Sequence, residues 1–127
     1  ILRRTERIIA THYGEDNDDR AVVLSAIAST ETSRGHPEAA LAPLEEALVI
    51  MQKANTAADR RADIEFELGR ALYLSGGDRE RALALAKRAR ESWLPIGPPR
   101  AEWVGYADEL IAELEAKRRR GAASTAP

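Results

Sequence analysis

"SRGHPEAALAPLEEAL" occupies Ser33–Leu48 and "LSGGDRERALALAKRA" occupies Leu74–Ala89. At an offset of 42 residues Gly77 falls beneath Gly35, Ala82 beneath Ala40, Leu83 beneath Leu41 and Ala89 beneath Ala47. A glycine followed by small residues at helical spacing has a physical reading. The glycine supplies a left-handed turn, and each alanine marks a place where two helices cross too closely for a larger side chain. Gly35 and Gly77 are therefore expected to turn the chain left-handedly. Ala40, Ala47, Ala82 and Ala89 are expected at crossings, with Leu24, Ile27, Leu44, Leu48, Leu68 and Leu72 filling the space around them.

Outward from this pair, the punctuation of the chain predicts helices nearly throughout. Leu2, Thr5, Ile8, Ile9 and His12 share helical spacing over Leu2–Tyr13, and Gly14 stops that helix. After the acidic "EDNDD", Asp18 or Asp19 is placed to cap a helix that runs to about Arg34. Pro37 suits the first position of the next helix, where a missing N–H is harmless; that helix should reach about Ala54 and bend at Pro43. "TAAD", Thr56–Asp59, has capping-box spacing with Asp in place of Glu and opens a helix to about Ser75. Asp78 caps another to about Leu94, "PIGPP" forces a turn, and a last helix spans about Pro99 to Arg120. The tail 121–127 is small and polar and is expected to be disordered. The expected fold is all-α: about six helices in antiparallel pairs, stacked as a solenoid because one pair cannot bury its apolar face alone.

On these residues the chain resembles the tetratricopeptide repeat family. Leu68, Gly69, Gly77, Ala82 and Ala89 stand in the order of that repeat, and Ile27 and Ala28 stand for its Leu-Gly pair. The 42-residue step exceeds the usual repeat of about 34 residues and is similar to the longer-helix variety of kinesin light chains. Glu31 and Glu65, where the family often has large apolar residues, and Pro43, inside a helix, depart from the pattern. The resemblance implies a half repeat at 1–14, repeats at 18–54 and 56–94, and a capping helix at 99–120. The stretch ending in "RARESW" also resembles the C-terminal repeat tails of large bacterial serine/threonine protein kinases. Because the chain opens on Ile1 rather than Met, it is expected to be a piece of such a longer signalling protein. None of the kinase motifs occurs in it.

Composition narrows function by exclusion. Nineteen basic and 21 acidic side chains leave a net charge of −2, which offers no overall attraction to nucleic acid or an anionic membrane. The absence of cysteine removes thiolate chemistry and suits a reducing, cytoplasmic setting. No apolar run approaches membrane-spanning length. His12 and His36 have no second ligand at metal spacing, so neither a metal nor another cofactor is expected. Ser25, Ser29 and Ser33 recur every four residues without a neighbouring base, which reads as a smooth polar face rather than a nucleophile. Glu45 and Glu46 are adjacent and point apart on a helix, so they are not an acid/base pair. No catalytic constellation emerges.

The resemblance implies a protein-interaction scaffold that takes a peptide or helix of a partner protein in its groove. Counting from the turn glycines, the groove-facing residues are Val22, Ser25, Ser29, Thr32 and Ser33 of one pair and Asp63, Phe66, Glu67, Arg70 and Tyr73 of the next. Trp103 and Tyr106 of the capping helix stand ready to fill the same groove. The alternative is nucleic-acid or phosphate binding on Arg79, Arg81, Lys87, Arg88 and Arg90, which are broken only by Glu80. The default for that cluster is a solvated helix face, because no interleaved aromatics offer base stacking.

Overall fold

Glycine and proline divide this chain at short intervals, and each stretch between them is rich in strong helix formers. The computed structural model describes residues 18–125, and among these it contains five α-helices and no strand. They are α1 (Asp18–Ser33), α2 (Pro37–Lys53), α3 (Ala58–Ser75), α4 (Arg79–Trp93) and α5 (Ala101–Thr125). Two short 3-10 turns, Leu94–Ile96 and Pro98–Arg100, join α4 to α5 around Gly97. The expected helix at Leu2–Tyr13 and the cap of α1 lie outside the described residues. Helix α5 continues to Thr125 instead of ending near Arg120, since Ala122 and Ala123 extend a helix readily and the single Gly121 does not break it.

Three helix ends close in the same way. After α1, the His36 N–H donates to Glu31 O at 2.8 Å and the Gly35 N–H to Thr32 O at 3.0 Å. After α2, Thr56 N–H reaches Met51 O and Asn55 N–H reaches Gln52 O. After α3, Gly77 N–H reaches Leu72 O and Gly76 N–H reaches Tyr73 O. This is the Schellman arrangement, which needs one left-handed residue. Gly35 (φ 84°), Asn55 (φ 53°) and Gly76 (φ 74°) supply it. The left-handed turn expected at Gly77 therefore falls one residue earlier, directly after Ser75, and Asn55 does the same work without being a glycine. Since the Thr56 amide helps close α2, helix α3 starts later than expected, at Ala58, with Ala57 at its N-cap and no side-chain cap. Pro37 opens α2, and the Asp78 carboxylate caps α4 by accepting from the Arg81 N–H at 3.1 Å.

Each helix packs chiefly on the one before it and the one after it. Ala40, Ala47, Ala82 and Ala89 are fully buried, and Leu24, Ile27, Leu44, Leu48, Leu68 and Leu72 are buried around them. Gly69 shows why small residues are required: a Cβ there would lie 3.1 Å from Ala82 O on the facing helix. Helix α2 runs on through Pro43, whose ring is buried in the core. Ion pairs tie helices together from outside: Arg20 to Glu46 (α1–α2), Arg88 to Glu65 (α4–α3) and Arg90 to Asp108 (α4–α5) join neighbours, while Arg81 spans α4 to α2 by holding Glu45 with both terminal guanidinium nitrogens.

The position of α5 is set by an aromatic cluster. Trp93, wholly buried at the end of α4, meets Phe66 of α3 at 5.6 Å between ring centroids and Trp103 of α5 at 5.9 Å. The Arg100 guanidinium lies against both tryptophans, 5.9 and 5.8 Å from their centroids, and reaches Asp63 at 3.3 Å.

Candidate partner-binding groove

Because α5 follows α4 through a turn of only a few residues, it returns along α3, and side-chain links join the two. Asp63 meets Arg100 at one end, and Tyr73 donates its hydroxyl to Glu113 at 3.0 Å farther along; beyond them Arg79, the first residue of α4, donates to the Lys117 carbonyl at 3.0 Å. These links advance in the same direction along both segments, so α3 and α5 run parallel. Between them lies a groove of about 600 Å³.

The α3 wall carries Phe66, Glu67, Arg70, Tyr73 and Leu74, and the α5 wall carries Trp103, Tyr106, Glu109, Leu110 and Glu113. The walls are amphipathic in a regular way. Trp103, Tyr106, Leu110 and Glu113 recur three or four residues apart, which places them on one face of α5. Trp103 and Tyr106 remain 40% and 41% exposed and meet edge to face at 5.7 Å. Leu74 is also exposed. Such a strip of large, partly exposed side chains is the usual raw material of an interface.

Carboxylates set the electrostatics. Glu67 faces Arg70 one turn along at 3.6 Å, and burial raises its pKa despite that arginine. Glu113 accepts from Tyr73, which raises the tyrosine pKa because the phenolate would face a carboxylate. Tyr106 donates to Glu102 at 2.6 Å and is shifted the same way. Glu109 has no ion-pair partner among the described residues. Beyond Tyr73 the sign reverses: Arg79, Lys117 and Arg120 line a second hollow of about 480 Å³, with Lys117 Nζ 4.6 Å above the Tyr73 ring.

Four of the expected site residues, Phe66, Glu67, Arg70 and Tyr73, are thus brought together. Asp63 is not among the groove residues; it is engaged by Arg100 at the α4–α5 corner, where burial raises its pKa more than Arg100 and the Trp93 indole N–H lower it. Ser25, Ser29, Thr32 and Ser33 lie on α1, away from this groove. The Thr32 hydroxyl is spent on the Ala28 carbonyl at 3.0 Å, and Val22 is exposed. Leu74, Glu109, Leu110 and Glu113 were not anticipated from the sequence. For Glu109, Leu110 and Glu113 the signal is the three-to-four spacing that continues from Trp103 and Tyr106 along the last helix.

Asp63, Glu65 and Glu67 all have pKa values raised chiefly by burial, and Glu65 is only 4% exposed. An acid with a raised folded-state pKa takes up its proton in the folded state before the unfolded chain does. Stability therefore increases as pH falls through the folded pKa, and the gain is complete below the ordinary values of 3.8 for Asp and 4.5 for Glu. We expect the thermal midpoint to rise as the pH is lowered from neutral toward that range. The rise should shrink in the Glu65→Gln, Glu67→Gln double variant; an equal rise in both proteins would show that these carboxylates are not its source.

No family model matches the chain, and no curated protein matches it.

Proposed function

We propose that this chain is a tetratricopeptide-like helical-repeat module that binds a segment of a partner protein, as part of a larger signalling protein. The observation that carries the proposal is the open groove between α3 and α5, with Phe66, Trp103 and Tyr106 beside ionised groups on rigid helices. Aromatic anchors ringed by charge give both affinity and orientation, and helices hold them without an ordering penalty at each binding event. The crossing alanines and the recurring left-handed helix ends support the repeat character, since they recur at corresponding places in successive helix pairs.

Nucleic-acid binding on Arg79–Arg90 has less support. Arg81, Arg88 and Arg90 already hold Glu45, Glu65 and Asp108, and breaking those pairs for phosphate would forfeit links between helices. A pull-down followed by cross-linking separates the readings. Partners retained by the wild type should be lost from an Arg70→Ala, Tyr106→Ala variant and kept by a Lys87→Glu variant. The reverse pattern would move the site to the outer basic face.

A further inference from the structure

The groove and the hollow beyond it form one trough that shares Tyr73; at the first end Glu67, Glu109 and Glu113 outweigh Arg70, and at the other Arg79, Lys117 and Arg120 are all basic. At the first end Glu109 stands beside the Trp103–Tyr106 pair without an ion-pair partner among the described residues. At the other, Arg120 likewise has none, and Lys117 is turned onto the Tyr73 ring. Resting on the proposed docking role of this groove, the geometry points to a ligand that is an extended peptide with a basic side chain at one position and an acidic one four to five residues away. Its basic residue lies over Tyr106 and Glu109, and its acidic residue lies at Lys117 and Arg120.

The spacing follows from the helix that carries the charges. Glu109 and Lys117 are eight residues apart and Glu109 and Arg120 eleven, which is about 12 to 16 Å at 1.5 Å per residue. An extended chain covers that distance in about four to five residues at 3.3 Å each. The Tyr73–Glu113 hydrogen bond bridges the two walls between the charged ends, so a ligand that reaches both ends lies across this bridge, which an extended chain does with less bulk than a helix about 10 Å across. The basic side chain gains twice at its end: its stem packs on the exposed aromatic edges, and its charge meets Glu109 with the partly buried Glu67 nearby. Reversing the peptide's charges places like against like at both ends, which gives the site a built-in direction.

The test is selection from a displayed library of nine-residue peptides with randomised positions, using the wild type and three variants whose folding is checked by thermal melting. Selected peptides should pair Lys or Arg with Asp or Glu four to five residues away. Glu109→Gln should weaken a selected peptide about two- to fivefold, the worth of an exposed ion pair, and remove the preference for the basic residue alone. Arg120→Gln should remove the preference for the acidic residue alone. Selected peptides that lack this charge spacing but are lost on Tyr106→Ala would overturn the charge register and leave the groove as the docking site. Selected peptides indifferent to Tyr106→Ala, or no selection at all, would overturn both.

Discussion

Trp93→Ala should lower stability by about 3 to 5 kcal/mol, the usual cost of deleting a fully buried large aromatic side chain, and should free α5 from the rest of the fold. Trp93 is wholly buried and touches ring systems on two other helices, Phe66 and Trp103, while Arg100 covers it. Removing it leaves a cavity that α5 cannot fill, because the turn 94–100 that leads into α5 carries three prolines and has little freedom. Trp93→Phe keeps an aromatic ring beside Phe66 and should cost less than half as much. Urea denaturation of both variants measures the difference. A Trp93→Ala cost below about 1 kcal/mol would mean that other contacts hold α5 in place.

Ala47→Leu and Ala89→Leu should each destabilise by about 1 to 3 kcal/mol through overpacking. Both alanines are fully buried, and both sit at the same place in successive helix pairs. The facing backbone has no room to retreat, as the 3.1 Å approach of Ala82 O to the Cβ position of Gly69 shows for the same pair of helices as Ala89. Ala84→Leu on the exposed face of α4 is the control and should change stability by no more than about 0.5 kcal/mol. Equal melting curves for Ala84→Leu and Ala89→Leu would place Ala89 away from any close crossing.

Much of the fold was legible because the signals were local. Pro37, Asp78 and Gly35 act on the backbone within a few residues of themselves, and the alternation of small and large side chains in α2 and α4 fixes which face turns inward. The misplacements have local causes too. Gly76 and Gly77 are equally free to adopt the left-handed conformation, and only the last turn of α3 decides between them. Thr56 carries the signature of a helix start, but the end of α2 claims its amide first. The site was less legible. Counting along α3 identifies Phe66, Glu67, Arg70 and Tyr73, yet nothing in periodicity says that α5 rather than α1 supplies the opposite wall. That depends on the direction in which the turn after Trp93 sends the chain. The split fate of Asp63 and Arg70, one held at a corner and the other on the groove wall, follows from the same turn.

The packing of each helix on its immediate predecessor and successor also orders events in time. Such a topology keeps contacting residues close in sequence, and chains of that kind fold within microseconds to milliseconds because little loop entropy is spent before contacts form. The groove is the exception. Its two walls lie about forty residues apart along the chain and share few direct contacts, so they find each other only after α4 has docked between them. Helices α1 to α4 can therefore pack together before the candidate groove exists, and an opening that releases α5 removes the groove along with the core contribution of Ala107, Leu110 and Leu114 while those four helices stay together.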